Sequence, residues 1–331
     1  MAHSFLSKIN FILGRNPQVN KRKDWRIFIP EPHRAVIIIQ ADFEMAWAWR
    51  WSNRFFCNPN GAREMAKRER RNIPKILDLC DEFNVPITWA TVGHLFLETC
   101  NPIAGRIHSE IPRLVPFENE FWKFPGGDWF AHDPGTDLKQ DPEWYASDLV
   151  RDILGRKTSH EIGCHTFSHI DCRDDVCPPD LLRAELSACR QIAKKYGILL
   201  RSFVHPAHAV GNLGVLSEYG FTSFRTDNRN VLGYPIAHGN GLWELEQTAE
   251  FAFRPGWSVD YHISRYRSIL RRAIKTNTIC VFWFHPSFSE VVVETIFPEI
   301  FRFIRDHHEF RVCTTDEYIT FLNAKNRATE A

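Results

Sequence analysis

The chain has no Cys-x-x-Cys pair, no lopsided charge, no long apolar run and no internal repeat. Its nine cysteines (Cys57, Cys80, Cys100, Cys164, Cys172, Cys177, Cys189, Cys280 and Cys313) are odd in number and scattered over 331 residues. That pattern suggests neither a disulfide framework nor a cysteine zinc ribbon, and predicts reduced thiols. Lysine plus arginine number 41 and aspartate plus glutamate 40, giving a net charge of +1. A balance that even gives no electrostatic footprint for nucleic acid, so a small molecule or an oligosaccharide is the expected partner. The opening segment MAHSFLSKINFILGRN is too short and too interrupted for a signal peptide or a membrane span. A cytoplasmic location is therefore expected, with an amphipathic membrane contact left open for residues 4–13. Nothing of low complexity marks a linker.

What is present is a large apolar complement, 44% hydrophobic and 13% aromatic, enough for one large domain or two small ones. The run AVIIIQA (35–41) is nearly all apolar and β-branched, the mark of a strand buried on both faces of a parallel sheet. A helical pattern over 62–83, interrupted by Pro74, predicts one kinked helix or two, and ITWATVG (87–93) a second buried strand. The alternation continues: EIGCHTF, SFVHPAH, FTSFRTD and TICVFWFHP as strands, with a last short one at RVCTT. Helices are expected over 179–196, 213–219, 259–275 and 291–306. Repeated βα units imply a parallel sheet, as a barrel or doubly wound. From 95 to 157 the rhythm breaks into proline, glycine and aromatics, as expected of a long loop or small subdomain covering one end of the sheet.

The polar residues collect where strands end. Asp42 and Glu44 close the first strand, and alternation sends both carboxylates to one face, a costly pairing without a cation or proton. SHEIGCHTFSHIDC (159–172) ends another strand with His165 and His169 four residues apart, on one side of a helix or tight loop. Two imidazoles and one carboxylate with an open position make a catalytic metal set, with Zn²⁺ the first expectation and cobalt, iron or nickel acceptable. His160 and His165 are one residue too far apart for a His-Glu-x-x-His zinc helix, so His160 reads as structural. His285 ends the strand VFWFHPS where a histidine can serve as acid or base. His205 and His208 end a fourth strand, and Arg225 and Asp227 a fifth. Trp47, Trp49 and Trp51 follow the acids and suit either a core or a sugar-stacking groove. In the cover, Asp128, His132 and Asp133 are either within reach of the site or turn residues.

With these residues in place, the chain resembles the NodB-type polysaccharide deacetylases (carbohydrate esterase family 4), nearest to their divergent peptidoglycan-deacetylase-like and allantoinase-like branch. The resemblance runs over about residues 35–325, leaving 1–34 as an N-terminal extension and 95–157 as an inserted cover. It is carried above all by His165-Thr166-Phe167-Ser168-His169 and its lead-in His160-Glu161-Ile162-Gly163. The fold it implies is α/β, a distorted seven-stranded (β/α) barrel. It implies Asp42 as catalytic base, Glu44, His165 and His169 as ligands of a divalent metal, and His285 as general acid. SFVHPAH matches the substrate-groove motif, bringing in His205, Pro206 and Ala207, while Asp227 matches an acid that orients a histidine. Two features depart from the family. Phe43 separates acids that are usually adjacent, which leaves either one open as metal ligand, and the groove arginine is missing, with Arg225 the candidate to replace it.

Three functions follow from this reading. The first is metal-dependent hydrolysis of an amide C–N bond, most simply N-deacetylation of an acetylated sugar in a polysaccharide or glycan precursor. The second is hydrolysis of a small cyclic amide or imide. The third, non-catalytic sugar binding, predicts loss of the base or the acid, and Asp42 and His285 are both present.

Overall fold

A computed structural model describes residues 17–53, 59–226 and 230–330. Cys57, Asp227 and the 4–13 segment lie outside them. The first long strand, β1 (Ala35–Phe43), is buried along its whole length, as its apolar run requires. It pairs in parallel with β2 (Thr88–Thr91) on one side and β7 (Ile279–Phe284) on the other. Beyond β2 lie β3 (Glu161–Cys164), β4 (Ser202–Val204), β5 (Ser223–Thr226) and β6 (Trp243–Glu246), all parallel. The order β6-β5-β4-β3-β2-β1-β7 makes seven parallel strands, with β8 (Phe310–Val312) added beside the start of β1.

The two ends of this sheet are joined by the chain itself. Gln247 N donates to Thr226 O of β5 (3.4 Å), whereas Thr248 N donates to Val281 O of β7 (2.7 Å). Ala249–Glu250 then pairs with β7. Two consecutive residues thus bridge opposite edges, which requires the sheet to curl round into an open, distorted barrel. Side chains 36, 38, 40 and 42 of β1 share one face and the odd-numbered ones the other. Ile37 and Ile39 pack with Ile73, Ile76 and Leu77 of helix α1 (Pro59–Phe83). Val36 and Ile38 pack with Tyr318, Ile319 and Leu322 of the C-terminal helix (Thr315–Glu330), and Gln40 Nε2 donates to Thr315 Oγ1 (2.9 Å). Apolar and amide contacts therefore fill that face up to Gln40, leaving Asp42 at its carboxyl end.

The structure chooses among the sequence-based alternatives and departs from them at one helix. Helix α1 is a single helix that carries Pro74 inside it. The cover contains a hairpin (Phe117–Glu118 with Lys123–Phe124) and a second helix, α2 (Ser147–Gly155), so it is a small subdomain. Helix α3 (Pro179–Lys195) forms as its spacing predicts. The expected helix over 291–306 opens with a wider π-type turn, Val292–Ile296, before its α-helical part, Phe297–Arg305. Strand β6, only four residues long, and the weakly amphipathic C-terminal helix are additions to the sequence-based expectation. No described helix is long and apolar enough to cross a membrane.

Candidate active site

Register decides which side chains meet at the barrel mouth. Phe43 is level with Thr91, Thr91 with Cys164, Cys164 with Phe203, and Phe203 with Phe224. Ala41 is level with Phe284 on the other side. The next positions along are Asp42 and Glu44, His165, Arg225 and His285, gathered at one edge from strands up to 243 residues apart in sequence.

Glu44 is the hub. Its Oε1 stands 2.9 Å from His165 Nε2 and 2.9 Å from His169 Nε2, and its Oε2 is 3.3 Å from His285 Nε2. His165 Nδ1 lies 2.7 Å from Val204 O, a contact only an N–H can make. With Nδ1–H committed to Val204 O, Nε2 is the nitrogen presented to the carboxylate, the arrangement a metal-ligating histidine uses. The charges lead to the same place. Glu44 is 3% exposed, and its Oε2 has no hydrogen-bond partner. Burying a carboxylate is costly without a compensating cation; Arg225 is already paired with Asp42, which leaves the His285 ring as the charge partner of Oε2. Two imidazole nitrogens and a carboxylate oxygen converging in a buried pocket fit a divalent cation with an open coordination position. Asp42, Glu44 and His285 form an overlapping second grouping.

Arg225 grips Asp42 bidentately, Nη1 to Oδ1 at 2.8 Å and Nη2 to Oδ2 at 2.5 Å. Burial pushes the Asp42 carboxyl up, and Arg225 outweighs it, holding the group below the usual carboxylate range. His285 is governed by the opposite balance. Burial alone would deprotonate it, but Glu44, Asp42 and Glu250 around the ring raise it to about 9. Burial brings His169 down to about 4. An arginine-held carboxylate and an imidazolium thus flank the Glu44 centre.

Three side chains that sequence reasoning missed fix the loops carrying these groups. Glu69 of α1 accepts from Glu44 N (3.0 Å) and Met45 N (3.1 Å). Asn72, one turn on, donates to Pro286 O beside His285 (2.8 Å). Glu185 of α3 accepts from Phe167 N (2.7 Å) and Ser168 N (2.8 Å), between His165 and His169. The available signal was a carboxylate on the apolar stripe of each helix, Glu69 beside Met65 and Ile73, and Glu185 between Leu181 and Cys189. The clamped backbone is strained: Met45, Thr166, His169, Ala207 and His208 have φ between 46° and 59°. Such left-handed backbone at non-glycine residues costs on the order of 1–3 kcal/mol each and gathers where geometry is tightly specified.

The site opens onto a cavity of about 350 Å³, lined by Asp42, Glu44, His169 and His285 together with Ala207, His208 and Glu250. Trp49, Trp283 and, from the cover, Glu120, Phe121 and Trp122 complete its wall. Of the other expected residues, Ala207 reaches the cavity, while Pro206 is buried behind it. The His205 ring turns inward, its Nε2 3.1 Å from Gly211 O. Trp47 is buried beneath the cover, its Nε1 donating to Trp144 O (3.2 Å), so the tryptophans that face the cavity are Trp49, Trp122 and Trp283. His160 accepts from Ile87 N (3.1 Å) at the far end of β3. In the cover, Asp128 pairs with Arg113 (2.8 Å), His132 packs on Trp51, and Asp133 turns toward His94 and His108.

No family model and no curated protein sequence matches the chain. Solved structures do. A protein from Mycobacterium smegmatis described as a polysaccharide deacetylase is 16% identical, with a TM-score of 0.62 over 90% of this chain and 93% of that one. Another so described, from Pseudomonas aeruginosa PAO1, is 11% identical, with a TM-score of 0.61 over 90% of this chain and 94% of that one. The Puue allantoinase is 12% identical, with a TM-score of 0.61 over 90% and 93%. The chain has a divergent NodB-type fold, the curled (β/α) barrel of the polysaccharide deacetylases.

Proposed function

We propose that this protein is a metal-dependent hydrolase of an amide C–N bond, acting by N-deacetylation on an N-acetylated sugar. The observation that carries the reading is the Glu44–His165–His169 cluster, open to a cavity that Asp42 and His285 also line. A divalent ion, with Zn²⁺ the best match to two imidazoles and one carboxylate, would supply Lewis acidity toward the amide carbonyl and toward water. Glu44, His165 and His169 would hold it, with His165 kept in the ligating tautomer by Val204 O.

Asp42 acts as the base. Arg225 keeps it ionised and fixes its carboxylate plane, so that it takes a proton from water entering the cavity. His285 acts as the acid, its ring held between Trp49 and Phe288 and its charge sustained by the surrounding carboxylates, and it protonates the leaving nitrogen. The left-handed turn at Ala207 brings backbone to the cavity wall, where an amide would steady the developing oxyanion. Trp49, Trp122 and Trp283 offer flat apolar surfaces for a sugar face.

The compact size of the cavity favours a second reading, a small cyclic amide or imide in place of a polymer. One experiment tests both. The zinc-loaded chain is assayed for acetate release from N-acetylated mono- and oligosaccharides, and for ring opening of cyclic amides, beside Asp42→Asn and His285→Ala. Acetate release lost in both variants supports deacetylation, and ring opening alone selects the second reading. Turnover that survives Asp42→Asn with metal in place removes the mechanism.

A further inference from the structure

The cover holds a second group of metal-type side chains, separate from the barrel mouth. His94, in the turn after β2, is joined by Cys100, His108 and Asp133. His94 Nε2 is 2.9 Å from Asp133 Oδ2, and His108 Nε2 is 3.3 Å from the same oxygen and 3.3 Å from Cys100 Sγ. All four ligand atoms lie within 4.8 Å of one another. Around a tetrahedral zinc with bonds of about 2.0–2.3 Å, ligand atoms stand about 3.3–3.8 Å apart. The cluster is therefore already close to a coordination shell.

Hydrogen bonding identifies what these atoms lack. His94 Nδ1 is 3.3 Å from Trp144 O, the direction that uses the single proton of a neutral ring. Its Nε2 lone pair then faces a carboxylate oxygen. Both His94 Nε2 and Asp133 Oδ2 are buried without a hydrogen bond, on side chains that are 0% exposed. Two acceptors this close in a dry interior, with no hydrogen bond joining them, want a cation beside them. The groups around the cluster are already fixed. Asp133 Oδ1 accepts from Gly135 N (3.0 Å), and Arg113 pins the turn around His108 through the carbonyls of Ile107, His108 and Ile111. His108 itself has φ 48°, a strained backbone that aims its ring inward.

We propose that His94, Cys100, His108 and Asp133 form a structural zinc site that staples the cover to the barrel. The donor set of one sulfur, two nitrogens and one oxygen is complete at four, and closed sites of this kind are structural. Binding would release the Cys100 proton as the thiolate takes the ion. The staple would also steady the barrel mouth, because Gly93 N and His94 N donate to Thr166 O (2.8 Å) and Phe167 O (2.9 Å), between the ligands His165 and His169.

The test is X-ray absorption at the zinc edge of the full chain purified with zinc, together with zinc counts. The expected result is a sulfur neighbour at about 2.3 Å and about two zinc ions per chain, one at each four-coordinate site. Cys100→Ser should remove the sulfur signal and His108→Ala should lower the count by one, while His165→Ala/His169→Ala keeps the sulfur. Among the described residues no cysteine lines the mouth, and loss of the sulfur signal in Cys100→Ser assigns it to the cover, independently of the proposed hydrolase activity. A wild-type chain whose zinc shows no sulfur neighbour after incubation with excess zinc overturns the proposal, whether or not the variants fold.

Discussion

The barrel mouth and the cover cluster are built from the same parts and differ in closure. In each, a histidine directs Nδ1 to a backbone carbonyl, His165 to Val204 O and His94 to Trp144 O. In each, its Nε2 lies 2.9 Å from a buried carboxylate oxygen, of Glu44 or of Asp133. The mouth offers three donors and a cavity, and the cover offers four donors including a sulfur, packed under Trp47, Tyr145 and Phe130. An open shell leaves room for chemistry, whereas a closed one confers rigidity. Backbone strain marks both places. Of eleven non-glycine residues with positive φ among the described residues, four are asparagines, which tolerate that conformation; five surround the mouth, and Ala104 and His108 lie in the cover.

The sharpest break between the two is made by removing the proposed mouth ligands. His165→Ala/His169→Ala should abolish amide hydrolysis, a loss on the order of 10³-fold or more since Lewis acidity supplies several kcal/mol. The cover's zinc–sulfur signal should persist. Asp42→Asn should lower the rate by about 10²–10⁴-fold with the metal count unchanged. Arg225→Gln should cost about 10–100-fold by freeing the carboxylate it orients, again with metal retained. Steady-state rates with metal analysis check all three.

A smaller effect is expected from the clamps. Glu69→Ala leaves the Glu44 and Met45 amides buried and unpaired, costing about 1–3 kcal/mol for each. Metal affinity at the mouth should fall with it, and Glu69→Gln, which restores one acceptor, should recover part of the loss. Denaturant titration and competitive chelation measure the two quantities.

The smallest effect serves as a control outside both sites. Burial pushes His160 down to about 4, against about 6.5 for an unfolded histidine. Between those values the unfolded chain binds a proton that the folded chain refuses, so stability falls as pH drops from about 6.5 to about 4. His160→Asn should flatten that slope in the denaturation midpoint and leave zinc binding at both proposed sites unchanged.

How much of this was legible in advance follows from the kind of signal each element carries. Strand β1 could be read directly, because a strand buried on both faces needs an unbroken β-branched run. The four-residue spacing of His165 and His169 singled out the pair, although the structure holds them on a tight loop with φ 58° at Thr166 and 59° at His169. Helix α2 was hidden in a segment whose prolines and glycines dominated its pattern. Trp47 was drawn toward the cavity by its nearness to the acids, but the turn after Glu44 sends its indole under the cover. His94, Cys100 and His108 gave no motif at all, since their spacing matches no compact zinc signature and Asp133 joins from 25 residues beyond His108.

The sequence by itself determined the alternation of buried strands and amphipathic helices, and placed acids and histidines at the strand ends. Local periodicity and hydrophobicity are enough for that, because each element must bury its own apolar face. Tertiary structure alone decided which of those polar groups meet. Strand register set Arg225 on Asp42 and His285 beside Glu44, and the fold of the cover brought a cysteine, two histidines and an aspartate within one coordination shell. Those are contacts between residues distant along the chain, fixed by sheet pairing and packing, and no short stretch of sequence encodes them.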